Sequence, residues 1–471
     1  MKAKTLISII LFFTCPLIYG QTNKIQDIQG SWIGKVTFSK DFSLRLILRL
    51  EVINDSIKGF IDSPDQYIKD LPIKRVWTIQ DSIFADASNI GAGIIFKGLI
   101  MPGDSVIDGV WDGKRALRLT PTNYVFTLKT NLNPRIEGYK IIKLIESTPI
   151  KDQQKTAACW TYATTSFIET EAIRLGRKPV VLSPMFFVIP TYIDKAEKYI
   201  RMNGSSFFGG GDLTFSVMSA YKKYGAIPEM NYSGKKDSTS KLDLNEMNNA
   251  LLKKVKYYVE SGRGNMTTEG YRKDIEDILF QTMAKVPENF IYGQKQYTPK
   301  SFAKEMIGIN PDEYIEITSY SHHTFYSKVI LETMANWNNN SYLNLPIDDF
   351  IKVVDNSLLH NYSVCWDGSV HAEGFRDGFA VLRESITNIT QQMRQATFDN
   401  LTTEDDHNMH IIGIAENDKG NRFYIIKNST DFFSTGGYLY MSKEYLLLKT
   451  ISVMVHKNAI PQEILKKILT R

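Results

Sequence analysis

The sequence predicts an α+β protein of more than one domain, and three observations carry that prediction. Its 471 residues exceed what one hydrophobic core ordinarily organises. Residues 28–121 read as short strands between closely spaced turn signals. From about residue 140 onward, helical and strand patterns fall in separate blocks rather than in strict alternation, which favours α+β over a doubly wound sheet.

The N-terminal β pattern is the clearer of the two. LRLILRLEV (44–52) is rich in Leu and β-branched residues. Turn signals recur at Asn54-Asp55, Ser63-Pro64-Asp65, Gly91, Gly93, Pro102-Gly103-Asp104 and Asp112-Gly113. Short strands so spaced predict a small antiparallel barrel or sandwich over 28–121. Trp32 and Trp111 have two readings there, core aromatics or a stacking platform for a sugar or peptide. The segments GSWIGKV, LRLILRL, IKGFIDSPDQ, VIDGVWDGK and LRLTP resemble a β module attached N-terminally to exported hydrolases of Bacteroidetes-like bacteria. Residues 122–139 read as a linker, and 140–471 as the larger domain. Within it, a polar helix-rich stretch at about 235–303 reads as an insertion.

Ahead of the β pattern, Lys2 and Lys4 form a basic head, TLISIILFF (5–13) is apolar, and small Gly20 precedes Gln21. That order is a cleavable export signal, residues 1–20, and the expected location is periplasmic or extracellular. The apolar run is short for a membrane span, and Cys15 lies in a poor context for lipid attachment, so stable membrane insertion is not expected.

With 43% hydrophobic and 23% charged residues, the composition is that of a globular protein. The net charge of +5 is interspersed rather than clustered, which argues against a nucleic-acid-binding face. Of three cysteines, only Cys159 and Cys365 lie beyond the leader. Two cysteines make no disulfide framework in a large exported chain, and a free thiol in an oxidising compartment points weakly to a nucleophile.

The informative window is PIKDQQKTAACWTYATTSFIETEAIRLG (149–176). Cys159 begins a segment whose apolar residues Trp160, Ala163, Phe167, Ile168, Ala172 and Leu175 recur at helical spacing, with Gly176 closing it. A cysteine in a first turn sees the positive end of the helix dipole, which favours thiolate. Read alone, the position also suits a structural small residue.

The surrounding residues resemble the papain superfamily. Pro149, Ile150 and Gln153 precede Cys159-Trp160 at the spacing of that family's Pro-Val-x-x-Gln motif, with Gln153 six residues before the cysteine. LSPMFFVIPTYIDKAEKYI (182–200), GGGDLTFSVMSAYKKYGAIPEMNYSG (209–234), YLNLPIDDF (342–350) and SVCWDGSVHAEGF (363–375) are similar to the bleomycin hydrolase and aminopeptidase C branch. EDDHNMHIIGIAEND (404–418) and RFYIIKNS (422–429) match where the family carries its histidine and asparagine.

The resemblance implies a papain-like fold of a helical lobe and an antiparallel β lobe. It implies four catalytic roles. Cys159 is the nucleophile, His407 its proton partner, Asn428 the group that orients the imidazole, and Gln153 an oxyanion donor. Gly210, Gly211 and Trp160 are the expected substrate-binding residues, the glycines admitting an extended substrate backbone. The expected partner is a peptide or protein substrate; no cofactor or metal is called for, and the oligomeric state is left open.

Other candidates receive structural readings. His410, three residues after His407, reads as a satisfied structural histidine, and Cys365 beside Trp366 as a buried inert thiol. His322 and His323 sit together, but with no Cys or acidic ligand at usable spacing they read as solvent-exposed.

Three departures from the family bear on activity. Thr430 stands where the family has a Trp shielding the Asn–His bond, leaving Phe432 or Phe433 to cover it. Ala157-Ala158 replace a Gly and a polar residue before the nucleophile, and an Ala needing positive φ is strained. After AIPQEILKKILTR the branch's cleft-occupying C-terminal arm has no counterpart, so an open cleft is expected. The resulting expectation is an exported cysteine peptidase of aminopeptidase or oligo/endopeptidase type. The competing one is a catalytically impaired papain-fold protein that binds peptides or an exported partner.

Overall fold

The computed structural model describes residues 28–470 apart from 40–41, 54–55, 65–67, 89–93, 102–105, 125–133, 238–240, 262–267, 371–373, 377 and 431–434. The leader at 1–20 with Cys15, and residues 125–133 of the linker, lie outside the described residues. The chain divides into two compact units, one of Met1–Asp62 with Pro72–Tyr124 and one of Ser63–Leu71 with Val125–Arg471.

The first unit is antiparallel β. Its strands are β1 (Gly30–Ser39), β2 (Phe42–Ile53), β3 (Ser56–Ser63), β4 (Arg75–Ile79), β5 (Ser82–Asp86), β6 (Ile95–Ile100), β7 (Ile107–Trp111) and β8 (Arg115–Pro121). They lie in the order β3-β2-β1-β8-β7-β6-β5-β4, two runs of hairpin neighbours joined where β1 pairs β8, which makes a half-barrel sheet. Buried and exposed residues alternate strictly along β6, the signature of a sheet with one face on a core. That core contains Trp32, Val36, Leu48, Ile83, Phe96, Trp111, Leu117 and Leu119. Both tryptophans are therefore core residues, and the Trp32 indole donates to the Ile28 carbonyl at 3.0 Å. Gly98 and Gly109 face each other across β6 and β7, where any Cβ would enter the Phe96 ring.

The second unit holds a helical lobe and a β lobe. The helices are α1 (Cys159–Arg174), α2 (Pro184–Arg201), α3 (Thr214–Tyr224), α4 (Asn245–Glu260) and α5 (Thr268–Thr282). One core joins them, including Trp160, Phe167, Phe187, Tyr192, Val217, Leu251, Val255, Ile275 and Leu279. The helical stretch expected at about 235–303 thus shares its core with α1.

Helix α1 is buried from Cys159 to Ala172 despite its threonines. Three of their hydroxyls bond back to the helix: Thr161 donates to the Ala158 carbonyl at 2.9 Å, Thr164 to Trp160 at 2.6 Å and Thr165 to Tyr162 at 3.2 Å. Gly176, at φ +78°, ends the helix by donating to the Ile173 carbonyl.

In the β lobe the principal strands are β9 (Tyr139–Leu144), β10 (Tyr314–Thr318), β11 (Ser341–Asn344), β12 (Val364–Gly368), β13 (His407–Asn417), β14 (Arg422–Lys427), β15 (Tyr438–Ser442) and β16 (Thr450–His456). Their order is β11-β10-β16-β12-β13-β14-β15, with β9 pairing the far half of β13. Helix α6 (Ile347–Leu359) covers the sheet through Phe350, Val353, Val354 and Leu358. Against β13 lies α1, and that contact places the start of the helix beside the start of the strand.

Candidate active site

Cys159 is the first residue of α1, and Ala158 ahead of it makes no side-chain cap. No capping side chain takes the amides of Cys159 and Trp160, whereas that of Thr161 donates to the Ala158 carbonyl at 2.9 Å. His407 opens β13. In the antiparallel β13–β14 pair His410 lies opposite Lys427, so His407 and Asn428 sit at the same end of the hairpin. The imidazole Nε2 of His407 is 2.7 Å from Asn428 Oδ1. That oxygen also accepts the Ser429 amide at 2.8 Å, which fixes the carboxamide orientation.

The electrostatics of the pair are complementary. Burial pushes the Cys159 thiol up, but the His407 charge and hydrogen bond, with the Asn408 and Trp160 amides, outweigh it and hold the thiol below its ordinary range. Burial depresses His407, yet the Cys159 thiolate, bonds to Cys159 and Asn428, and the Asp406 charge raise it above an ordinary imidazole. The opposed shifts favour a thiolate–imidazolium pair that titrates as a unit.

Gln153 reaches the same corner. Its amide donates to the Ser429 carbonyl at 2.8 Å, and the Ser429 hydroxyl donates to its Oε1. With Oε1 occupied, the NH₂ group of the carboxamide is the end that remains to donate. The four expected catalytic residues therefore meet at one place, joined partly through Ser429.

The expected substrate-binding residues divide. Where Gly211 would carry a Cβ there is open space, whereas a Cβ on Gly210 would come within 3.1 Å of Ala157 Cβ. Gly210 therefore lies beside the nucleophile's approach. Trp160 departs from expectation: its side chain is fully buried, so it cannot present a face to substrate. Its indole instead donates to the Gly210 carbonyl at 3.0 Å and so acts on the glycine wall from behind.

Sequence reasoning missed the groups that support this arrangement. Lys195, wholly buried, donates to the carbonyls of Gly209 at 3.1 Å and of Gly211. It also pairs with Asp212 at 2.9 Å. The Asp after three glycines in GGGD was the available signal. Asn408 is held by Thr214 at 3.3 Å and Asp367 at 3.2 Å while its amide supports Cys159.

The remaining candidates fall as follows. His410 Nδ1 is 2.9 Å from Ser166 Oγ and its ring packs edge-on to Phe167, buried in the core. Burial and then Lys427 keep it well below an ordinary imidazole. Cys365 is a separate buried thiol, accepting from Thr214 at 3.3 Å and pushed up to about 12 by burial. Thr430 follows Ser429, and Asp431, Phe432 and Phe433 lie outside the described residues. Ala157 does adopt the left-handed region, at φ +51°. For His322 and His323 the expectation changes, because the fold brings an acidic residue, Glu332, to both rings.

A helical lobe and a largely antiparallel β lobe meeting at a cysteine, a histidine and an asparagine define a papain-fold cysteine peptidase. Residues 208–470 match the Peptidase C1-like family, a span that includes His407 and Asn428 and begins after Cys159. Aminopeptidase C of Lactococcus lactis subsp. cremoris is 21% identical over 297 residues, covering 57% of this chain and 67% of that protein. Aminopeptidase C of Streptococcus thermophilus is 23% identical over 176 residues, covering 32% and 39%. The crystal structure of PepW from Lactobacillus rhamnosis HN001 shares the fold, with a TM-score of 0.57 at 18% identity over 70% of this chain and 84% of that one. The chain belongs to the Peptidase C1-like family, in the bleomycin hydrolase-like branch of the papain superfamily.

Proposed function

We propose that the protein is an exported peptidase that hydrolyses peptide bonds through Cys159, His407, Asn428 and Gln153. The observation that carries the reading is the pair of opposed shifts at Cys159 and His407, with the imidazole tethered to Asn428 at 2.7 Å. The thiolate attacks the scissile carbonyl carbon, and the carbonyl π pair moves onto oxygen. The Cys159 amide and the Gln153 NH₂ donate to that oxyanion. Collapse breaks the C–N bond as His407 passes its proton to the departing amine, leaving a thioester. Water then adds while His407 takes its proton, and the thiolate leaves with release of the carboxylic acid. Gly210 and Gly211 hold the substrate backbone along the cleft wall.

The aminopeptidase C relatives favour trimming from a free amino terminus, with oligo- or endopeptidase action as the other mode. Cleavage mapping on matched free and N-acetylated peptides separates them: dependence on the free amine gives the first, equal cutting the second. No hydrolysis of either by the reduced protein would remove the peptidase reading itself. Export rests on the basic head, apolar run and Gly20 of the leader. Among the described residues no helix is long and apolar enough to cross a membrane. An N-terminus at Gln21 in the cell-envelope or culture fraction is the expected readout.

A further inference from the structure

We propose that His322, His323 and Glu332 form a binding site for a late first-row divalent metal ion, Zn²⁺ being the fitting occupant. The two histidines lie in the turn after β10, and Glu332 follows the short strand Ser327–Ile330. Glu332 Oε2 is 3.1 Å from His322 Nε2 and 3.0 Å from His323 Nε2, and the three ligand atoms all lie within 4.8 Å of one another. In a tetrahedral site with bonds of about 2.0–2.1 Å, neighbouring ligand atoms stand about 3.3 Å apart. The carboxylate oxygen already sits near that spacing from both nitrogens.

The framework is built and held from behind. Buried Asn344 donates to the carbonyls of Tyr320 at 2.8 Å and His323 at 3.1 Å, clamping the turn. The His322 ring stacks on Phe398 at 5.6 Å. Its Nδ1 lies 3.2 Å from Gln395 Oε1 and 2.9 Å from Gln395 Nε2, so the amide can serve either tautomer. Nε2 is therefore free to bind metal without orphaning the other nitrogen. Gln395 is itself fixed, accepting from the Ser321 amide at 2.7 Å and donating to Asp399 at 2.7 Å. Such an outer layer is what ligating histidines ordinarily have.

Two imidazoles and one carboxylate, with no thiolate, suit Zn²⁺, Cu²⁺ or Ni²⁺ and not the all-oxygen preference of Ca²⁺ or Mg²⁺. The side chains are 33%, 24% and 60% exposed, which leaves a fourth position to water. The segment carrying Glu332 also reaches the cleft. The Ala335 amide donates to Asp405 at 3.1 Å and the Trp337 indole to Asp212 at 3.0 Å. Asp405 lies two residues before His407, and Asp212 follows the glycine wall. A bound ion would fasten this bracing loop at its start.

The test is calorimetric titration of ZnCl₂ into the full chain after chelator treatment. Cys159→Ser is used throughout to remove the thiolate–imidazole pair as a rival ligand set. One equivalent should bind, Glu332→Gln and His323→Asn should abolish it, and Gln395→Ala should weaken it about 10–100-fold. Co²⁺ in the same site should give tetrahedral visible bands without thiolate charge transfer. Absence of binding, or binding unchanged in both ligand variants while circular dichroism shows them folded, would overturn the proposal. Because the readout is metal binding and not hydrolysis, the outcome is independent of the peptidase reading.

Discussion

Ser429 grips Gln153 twice, its hydroxyl donating to Oε1 and its carbonyl accepting the Gln153 amide at 2.8 Å. In the proposed mechanism, the residue after the orienting asparagine thus sets the direction of the oxyanion donor. Substituting Gln153 by Ala should lower kcat about 10²–10³-fold, the worth of one such donor. Ser429→Ala keeps the donor but loosens it, so a smaller loss of about 10-fold is expected, matching one neutral hydrogen bond. Steady-state kinetics on one peptide substrate compares the two directly.

In the proposed mechanism Asn428 holds an imidazole that carries charge during the reaction. Its replacement by Ala should cost about 10–100-fold in kcat/KM, the rate equivalent of a hydrogen bond to a charged group. The alkaline limb of the kcat/KM profile should also move down in pH. Without Asn428 the imidazolium loses a stabilising bond and gives up its proton more readily. A profile that keeps its limbs while losing rate would count against the orienting role.

Ala157 stores strain at φ +51°, next to the nucleophile's cap residue. A left-handed alanine costs about 1–2 kcal/mol, while glycine loses about 0.5–1 kcal/mol more backbone entropy on folding. Ala157→Gly should therefore stabilise the protein by about 0.5–1 kcal/mol in urea unfolding, with activity kept or raised. Destabilisation would mean that the methyl group packs against Gly210 to greater benefit than the strain it imposes.

Buried Lys427 donates to the Thr148 carbonyl and to Ser166, each at 2.6 Å, and burial pushes its amine down to about 7 despite Glu169. Between about 7 and the ordinary 10.5 the unfolded chain holds more protons at this site than the folded one. Its contribution to stability therefore rises with pH across that window and is flat below it. Comparing urea midpoints at the two ends of the window for wild type and Lys427→Met should show a smaller rise in the variant. An equal rise would place the titration elsewhere.

The candidate site was more legible than its scaffolding. Cys159, Gln153, His407 and Asn428 stand in local motifs with fixed spacing, and an alanine in a glycine's place announced the strain at residue 157. The apolar spacing of α1 was visible, but not the burial of its Thr and Glu residues, because hydroxyls that bond back to the helix and ionic partners such as Lys151 for Glu169 and Arg174 for Glu171 hide polarity from any hydrophobic pattern. Lys195, Asn408 and Ser429 act through tertiary contacts; Asn408 and Ser429 adjoin His407 and Asn428 in the chain, but that adjacency does not reveal the distant groups they hold. Trp160 misled because an aromatic beside a nucleophile suggests contact with substrate, whereas the helix turns it into the core. Glu332 was missed because a strand separates it from His322 and His323, and only the return of the chain closes the cluster.

The most direct measurement is the pH dependence of iodoacetamide alkylation, read by mass spectrometry at Cys159 and compared with loss of peptide hydrolysis. A thiolate held by His407 should alkylate well below the pH at which an ordinary thiol ionises, slow sharply in His407→Ala, and lose hydrolysis in step with labelling. Alkylation that follows an ordinary thiol titration, or hydrolysis that survives full modification of Cys159, would contradict the account.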